Sequence, residues 1–286
     1  TLTATASASD KVYNGNTAAS VTLTLTGVLD GETVTSSNSS TFNNKNVGTE
    51  KTVTVNSITL AGADNGNYQI SAGQTTTADI TAKTLTATLS ASNKTYDGDA
   101  TVTSSLTLAG LVGSETLNKT YSAAFSDKNV GTGKTVTVSS ITLADGDNGG
   151  LASNYTIASG QTDTANITPK ALTISGITAS NKIYNGNTSA IIDVSSASYT
   201  GLVDGDDLTV SATGTFDNKN VGTGKTVTLT STYAGDDVNN YSITDQGSTT
   251  ANITAKTLTV SASASNKTYN GNTTASVTLT FTGLVG

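Results

Sequence analysis

The side chains best suited to chemistry in this sequence are carboxylates in loops. They precede Asn-Tyr pairs at Asp64, Asp145, Asp147, Asp236 and Asp237. Oxygen-rich loops can hold calcium, so these five residues are calcium candidates, and no other cofactor is expected. Their spacing fits no EF-hand, and the loops differ in length and acid count, which favours solvated turn residues instead. A further acidic turn contains Asp204, Asp206 and Asp207.

The residue inventory argues against an enzyme. The 286-residue chain has no His and no Cys, and therefore no imidazole base, no thiolate and no common zinc ligand set. We expect no catalytic residue. A net charge of -7, with Lys as the only basic residue type, argues against a nucleic-acid partner. No apolar run reaches the roughly 18 residues of a membrane span, so no membrane insertion is expected in this segment.

A five-residue pattern, Lys-x-Tyr-Asn/Asp-Gly, occurs four times. Its members are Lys11, Tyr13 and Gly15; Lys94, Tyr96 and Gly98; Lys182, Tyr184 and Gly186; Lys267, Tyr269 and Gly271. We interpret it as structural: Lys ends a strand, Tyr packs under a turn, and Asn-Gly or Asp-Gly makes a tight hairpin turn that needs positive φ. The alternatives are a ligand contact or a Lys-Asn isopeptide crosslink. A crosslink needs a neighbouring buried acid, and no recurring Glu or Asp stands out.

Two further motifs follow the first three copies of this pattern, each time in the same order. Lys-Asn-Val-Gly begins at Lys45, Lys128 and Lys219, and Asn-Tyr lies at Asn67, Asn154 and Asn240. The four motif tyrosines are 83, 88 and 85 residues apart. These landmarks place tandem repeats at 1–83, 84–170 and 171–256, with 257–286 as the truncated start of a fourth. No linker separates consecutive units.

The local pattern predicts strands throughout. Val21, Leu23 and Leu25 alternate with threonines, as in half-buried strands. The apolar parity slips by one residue in the first two units, which predicts β-bulges near 56–57 and 139–140; the third unit keeps its parity and should lack the bulge. Many short strands in about 85 residues predict antiparallel, immunoglobulin-like β-sandwich repeats. Without flexible linkers these repeats should form an elongated, semi-rigid rod.

The three ordered motifs resemble the YDG repeat family of large Gram-negative adhesins. Lys94-Thr95-Tyr96-Asp97-Gly98, Lys128-Asn129-Val130-Gly131 and Asn154-Tyr155 carry the resemblance. It implies a tandem stalk within a giant, filamentous-haemagglutinin-like protein, secreted or held at the bacterial surface. It also implies an extracellular role in attachment or biofilm cohesion.

Two functions follow as hypotheses. The first is a structural stalk or spacer that projects a binding tip or links cells in a matrix, with the neighbouring repeats as its partners. The second is a module whose repeats themselves bind a glycan, such as an exopolysaccharide, or a host surface, or another copy of the chain to form filaments. The near-identity of the units favours the spacer, because a specific pocket usually shows a unit-specific cluster of polar and aromatic residues.

Overall fold

The computed structural model describes residues 1–285 of the chain. The fold is all-β, and the helical pieces within these residues are three short 3-10 turns at Asn65–Asn67, Ala152–Asn154 and Val238–Asn240. Within the same residues, no helix is both long and apolar enough to cross a membrane. The chain forms two compact units. The first comprises residues 1–93, 101–126 and 133–165, and the second comprises 94–100, 127–132 and the residues from 166 onward.

Repeat 1 contains two sheets. Its strands are β1 (Thr3–Ala8), β2 (Lys11–Val12), β3 (Val21–Thr26), β4 (Thr35–Phe42), β5 (Gly48–Ala61) and β6 (Thr75–Thr81). β1 pairs antiparallel with β3, and the second sheet has the order β2-β6-β5-β4. β2 runs parallel to β6, while β5 is antiparallel to both of its neighbours. The strand of alternating apolar residues and threonines predicted around Val21 is therefore confirmed as β3.

Repeat 2 reproduces these pairings. Its strands are β7 (Lys83–Thr84), β8 (Thr86–Ala91), β9 (Lys94–Thr95), β10 (Ser104–Ala109), β11 (Leu117–Phe125), β12 (Gly131–Asp145), β13 (Tyr155–Thr156) and β14 (Thr162–Thr168). β8 pairs antiparallel with β10, and β11 with β12. β7 is parallel to β13, and β9 is parallel to β14. One residue, Ala82, separates β6 from β7.

Repeat 3 divides its first half into more and shorter strands. They are β15 (Lys170–Ser175), β16 (Thr178–Ala179), β17 (Lys182–Ile183), β18 (Ser189–Ala190), β19 (Ile192–Asp193), β20 (Ser198–Thr200), β21 (Thr209–Phe216), β22 (Gly222–Ala234), β23 (Tyr241–Thr244) and β24 (Ser248–Thr254). β15 lies between β20 and β23, and the larger sheet has the order β17-β24-β22-β21-β18. A final hairpin follows, formed by β25 (Thr259–Ala264) and β26 (Val277–Thr282).

The predicted bulges are present where the sequence indicated them. In repeat 1 the β4–β5 register shifts so that Asn56 has no partner, and in repeat 2 the β11–β12 register shifts at Ser139. The β21–β22 register of repeat 3 is continuous from Thr209 to Phe216. A period of two locates such a slip because one extra residue exchanges the two faces of a strand.

The core of each repeat is built from side chains on the inward faces of these strands. In repeat 1, Tyr13, Phe42, Val53 and Ile80 form one buried cluster, which also contains residues of repeat 2. The equivalent residues Phe125 and Phe216 are also buried. A single large aromatic at the same position in each repeat therefore fills the same space.

The Lys-x-Tyr-Asn/Asp-Gly turn corrects one prediction. Positive φ is confirmed, at +81° for Gly15 and +92° for Gly98. The hairpin is wrong, because the turn joins β2 to β3, and these strands pair with β6 and β1 respectively. The turn therefore carries the chain from one sheet to the other. An Asn-Gly pair determines local φ but does not determine which strand becomes a neighbour.

Candidate functional site: the joint between consecutive repeats

The motif lysine organises its own turn. Lys11 Nζ donates hydrogen bonds to Asn14 Oδ1 at 3.1 Å, to the Asn16 carbonyl at 2.7 Å and to the Ala18 carbonyl at 2.9 Å. It also lies 5.2 Å from the centre of the Phe42 ring. Burial lowers the pKa of Lys11. In other copies of the motif the lysine ammonium binds its own turn in the same way, as in Lys182 and Lys267. The contacts with Asn14 and Asn16 are hydrogen bonds that shape the turn.

The motif tyrosine reaches into the next repeat. Tyr13 is 1% exposed, and its hydroxyl donates to Glu115 Oε1 at 2.6 Å. Tyr155 donates to the other oxygen of Glu115 at 2.6 Å. The rings of Tyr13 and Tyr155 meet edge to face with centroids 5.4 Å apart, an arrangement that aromatic pairs favour. One carboxylate of repeat 2 thus binds a tyrosine from each side of the joint.

A lysine of repeat 1 completes the cluster. Lys45, which begins Lys-Asn-Val-Gly, lies with its Nζ 3.0 Å from Glu115 Oε1. Burial works to raise the pKa of Glu115, but hydrogen bonds from Tyr13, Tyr155 and Lys45 outweigh it and lower the pKa. The hydrogen bond to Glu115 in turn raises the pKa of Lys45. The joint therefore contains a nearly buried carboxylate held in its charged form.

The same environment keeps the tyrosines protonated. Burial and the hydrogen bond to Glu115 raise the pKa of Tyr155 to about 12, and they also raise the pKa of Tyr13. A phenolate beside this carboxylate would be a second negative charge in a site that is largely removed from water. The hydroxyls consequently act as donors at neutral pH.

The Asn-Tyr motif binds the backbone of the preceding repeat. Asn154 is fully buried; its Oδ1 accepts a hydrogen bond from the Val47 N–H at 2.9 Å, and its Nδ2 donates to Asn46 Oδ1 at 3.2 Å. Asn46 and Val47 belong to Lys-Asn-Val-Gly. An amide side chain can satisfy a donor and an acceptor at once, so Asn154 holds this loop in one position.

A close backbone approach explains the glycine of the turn. A Cβ added to Gly15 would lie 2.6 Å from Cγ1 of Val112, a residue of repeat 2. No real side chain fits at that distance. Gly15 is thus required both for its positive φ and for the contact with the next repeat.

The second joint has the same construction, and it lies wholly within the second compact unit as the first lies within the first. Asp206 takes the place of Glu115: the hydroxyls of Tyr96 and Tyr241 both donate to it, and the two rings meet edge to face at 5.6 Å. The Asn240 Oδ1 accepts from the Val130 N–H at 2.9 Å. Burial and the hydrogen bond to Asp206 raise the pKa of Tyr241 to about 12.

An extra ion pair distinguishes the second joint. Lys128 Nζ lies 3.3 Å from Asp206 and 3.2 Å from Asp237. Hydrogen bonds to Tyr96, Asp237 and Asp206 raise the pKa of Lys128. Hydrogen bonding to the Asp207 backbone lowers the pKa of Asp237 against the effect of burial, with Lys128 adding to the decrease. Two carboxylates therefore pair with one ammonium at this joint, whereas one carboxylate does so at the first joint.

The other copies of the motif differ in burial and in their partners. Tyr184 is half-buried and Tyr269 is 93% exposed. Lys94 binds Asp97 and Asp99 of its own turn; burial disfavours its charge, but these hydrogen bonds outweigh it and raise the pKa of Lys94. The tyrosine of the motif is thus deeply buried at both of the joints that include an acid.

Three of the five calcium candidates bind the protein backbone or a lysine through their carboxylates. Asp64 accepts from the Thr33 N–H at 2.9 Å and Asp145 from the Ala152 N–H at 2.8 Å, while Asp237 binds Lys128. The structure does not bring Asp64, Asp145, Asp147, Asp236 and Asp237 together. Within residues 1–285 no three acidic residues form a group with the geometry of a metal site.

The recurring acid is what the sequence reasoning missed. It occupies one position in each repeat, at Glu32, Glu115 and Asp206, following Gly-x-x-Asp/Gly-Gly/Ser. Glu32 accepts a hydrogen bond from Tyr68, as Glu115 does from Tyr155. Aligning the three repeats on Gly27, Gly110 and Gly201 would have revealed it. The Glu-to-Asp change and the lack of nearby motif residues hid the signal.

Fold and joints define the chain as a tandem-repeat all-β protein whose repeats are docked through recurrent side chains. The chain belongs to the YDG domain family, which matches it three times, at residues 1–78, 81–165 and 168–251. None of the curated proteins matches the chain.

Among solved structures, the chain is similar to the I9–I11 tandem from titin. The two share 10% sequence identity, and the alignment covers 89% of this chain and 99% of the titin chain with a TM-score of 0.22.

Proposed function

We propose that this chain is a structural spacer in which YDG repeats dock end to end. Each repeat is an immunoglobulin-like sandwich in this proposal, and successive repeats continue as a semi-rigid rod. The observation that carries it is the use of all three recurring motifs at the joints. Tyr13, Lys45 and Asn154, one residue from each motif, bind the neighbouring repeat, as residues of a docking surface do.

The proposal extends to the setting of the protein. We propose that the segment belongs to a large adhesin that is secreted or held at a bacterial surface, where it projects a binding region or joins cells within a matrix. The resemblance of the three motifs to adhesin repeats supports this setting.

Docking suits a spacer because it limits motion at the joint. A buried ring pair, a charged hydrogen-bond cluster and a side chain bound to backbone must all separate before two repeats can bend apart. Buried charged groups are costly to leave unpaired, so partial opening is unfavourable. A flexible Gly/Ser tether would impose no such restraint.

The test is small-angle scattering of the whole chain and of a variant with a short Gly/Ser insertion between Ala82 and Lys83. We expect an extended particle with a narrow distribution of sizes for the wild type and a broader distribution for the variant. The same insertion between Asp30 and Gly31, in an exposed turn, is the control and should leave the distribution unchanged. A wild type as flexible as the joint variant would refute the spacer proposal.

The competing function, in which repeats bind each other between chains, predicts a different result. Sedimentation of the wild type over a range of concentrations should show a monomer if the chain is a spacer. Concentration-dependent assembly into filaments would favour self-association instead.

A further inference from the structure

The fourth residue of the Lys-x-Tyr-Asn/Asp-Gly motif binds the backbone of its own turn. Asn14 Oδ1 accepts a hydrogen bond from the N–H of Asn16 at 3.3 Å. The same contact, also at 3.3 Å, is made in the other copies of the motif by Asp97, Asn185 and Asn270. This is an Asx turn, in which a short polar side chain folds over the peptide that follows it. The side-chain carbonyl of Asn14 is thereby held beside the Gly15 peptide.

A lysine ammonium contacts the same carbonyl oxygen. Lys11 Nζ donates to Asn14 Oδ1 at 3.1 Å, so this oxygen has two donors, one of which carries a positive charge. Such donors stabilise the negative charge that develops on a carbonyl oxygen when a nucleophile attacks the carbonyl carbon. Asn14 is exposed, which leaves its amide group open to water. The turn therefore favours attack on the side-chain carbonyl carbon of Asn14.

Two Asn-Gly pairs outside the motif are held differently. Asn65 begins a 3-10 turn, and its backbone carbonyl accepts a hydrogen bond from the Tyr68 N–H at 3.2 Å. Asn148 donates from Nδ2 to the Ser114 carbonyl at 3.0 Å. Within residues 1–285, neither of these two asparagines accepts a hydrogen bond at its side-chain oxygen. Both therefore lack the donors that act on the Asn14 carbonyl.

Repeat 2 shows that an aspartate fits the motif turn. Asp97 accepts the same backbone hydrogen bond as Asn14 does, and its carboxylate lies 2.6 Å from Lys94 Nζ. The glycine that follows has positive φ in both turns. An aspartate at position 14 can therefore pair with Lys11 without a change in the turn.

We propose that Asn14 is a deamidation site, at which the folded turn converts the asparagine to an aspartate paired with Lys11. The product is the Lys-x-Tyr-Asp-Gly form of the motif that repeat 2 already contains. The conversion adds one negative charge to the chain and exchanges a neutral hydrogen-bond acceptor for an ion pair. The inference goes beyond the spacer function and does not depend on it.

The nucleophile is the backbone nitrogen of Gly15, which no Cβ hinders. A bond forms between this nitrogen and Cγ of Asn14, and the Gly15 amide proton passes to solvent. The bond from Cγ to the side-chain nitrogen breaks, and that nitrogen leaves as ammonia with a proton from solvent. Water then adds to Cγ of the cyclic imide and reopens the ring, which leaves aspartate at position 14. Water is the only co-reactant.

The test is peptide mapping by mass spectrometry of the full chain during incubation in mildly alkaline buffer. In the folded chain we expect Asn14 to convert at least about fivefold faster than Asn65 and Asn148, because two donors stabilise the developing charge at Asn14. In urea the three residues should convert at similar rates, because unfolding removes the turn and leaves the Asn-Gly dipeptide that they share.

A lysine variant and an internal comparison test the role of the ammonium. Lys11→Gln, checked for folding by circular dichroism, should slow the conversion of Asn14 at least about threefold, and Lys11→Arg should retain most of the rate. Asn185 needs no substitution: it forms the same Asx turn, but Lys182 binds Asn187. Asn185 should convert more slowly than Asn14.

The product is checked by fragmentation that distinguishes aspartate from isoaspartate. Isoaspartate lengthens the backbone by one carbon in a turn whose Gly15 lies against Val112, so the share of aspartate should be higher in the folded chain than in urea. Either of two results would overturn the inference. One is conversion of Asn14 no faster than that of Asn65 and Asn148 in the folded chain, and the other is isoaspartate as the main product there.

Discussion

At the residue scale, Glu115 and Asp206 are the most heavily used side chains of the joints. Each accepts hydrogen bonds from two tyrosines and pairs with a lysine. Each is also almost fully buried as a side chain, at 6% and 2% exposure. A buried charge with several donors is favourable only while all of them remain in place. Substitutions of Glu115 or Asp206 should therefore reduce stability far more than the small exposed area of these side chains suggests.

Replacing Glu115 with Gln should destabilise the first joint by about 2 kcal/mol, because charged hydrogen bonds are replaced by neutral ones and Lys45 loses its partner. Urea unfolding measures the loss. Glu32→Gln is the matched control: this residue binds Tyr68 of its own repeat, so the effect should be smaller. Equal losses in the two variants would contradict the role of Glu115 at the joint.

The substitution should also change the response to acid. The pKa of Glu115 is lowered in the folded state. Its contribution to folding stability is therefore fully present above the ordinary carboxyl pKa of about 4.3. It is lost as the pH falls through the lowered value. In the Glu115→Gln variant, the free energy of unfolding should therefore depend less on pH in this acidic range.

Alkaline pH should weaken the joints through their tyrosines. The pKa of Tyr155 and of Tyr241 is raised to about 12, against about 10 in an unfolded chain. The folded state binds the proton more tightly, so the stabilisation is complete below about pH 10 and is lost as the pH rises towards 12. Tyrosinate absorbance and unfolding free energy across this range are the measurements. The double variant Tyr155→Phe with Tyr241→Phe should lose less unfolding free energy as the pH rises from about 10 to about 12. An unchanged pH dependence would contradict the role of these two tyrosines.

Gly15 offers a test of the close contact. Gly15→Ala should be destabilising by about 1–2 kcal/mol for the positive φ and by about 1–3 kcal/mol more for the clash with Val112. Gly31→Ala is the control, since Gly31 has φ of +85° and no atom within 4 Å of an added Cβ. It should show the φ effect alone. Thermal unfolding of the two variants separates the two effects, and equal midpoints would argue against tight docking.

At the element scale, the bulge marks one difference between repeats 1 and 3. The extra residue Asn56 lets Ile58 and Leu60 keep their inward orientation beyond the slip, while repeat 3 reaches the same orientation at Tyr233 with one residue fewer. β5 with a bulge and β22 without one therefore place their apolar side chains on the same inward face. A bulge adds local twist at the expense of one unpaired residue.

Deleting Asn56 should therefore be tolerated. The strand would take the continuous register of repeat 3, with the loss of the hydrogen bond from Asn56 to Thr41. Deleting Ser231 should be severe, because it turns Tyr233 towards solvent with no bulge to absorb the change. Thermal unfolding compares the two deletions. If the Asn56 deletion proved as harmful as the Ser231 deletion, the bulge would be essential to the fold.

At the scale of the whole molecule, rigidity in a spacer can come from docking or from bound calcium. The joints use lysines, tyrosines and asparagines, and Asp64 and Asp145 bind backbone N–H groups. The contacts described at the joints are therefore between protein groups, which places the calcium hypothesis in a test of its own.

We accordingly expect a chelator to leave the thermal midpoint unchanged at constant ionic strength. Added calcium should likewise have no effect beyond that of an equal concentration of magnesium. A calcium-specific increase in the thermal midpoint would instead support calcium binding by the candidate ligands Asp64, Asp145, Asp147, Asp236 and Asp237.

The sequence by itself determined the repeat period, the strands, the positive φ at Gly15 and the bulges at Asn56 and Ser139. These features depend on short-range physics: side chains alternate with a period of two, and glycine alone readily adopts positive φ. The unbroken parity of repeat 3 was equally readable. The periodicity of one strand requires no knowledge of its neighbour.

Only the tertiary structure decided what the motifs are for. It paired β2 with β6 instead of β3, and it brought Tyr13, Glu115 and Asn154 to one joint although they are about 40 to more than 100 residues apart. Contacts over such separations depend on how sheets and repeats pack, which no local pattern encodes. The carboxylate at the centre of each joint recurs at one position of the aligned repeats, but no local pattern identifies its partners.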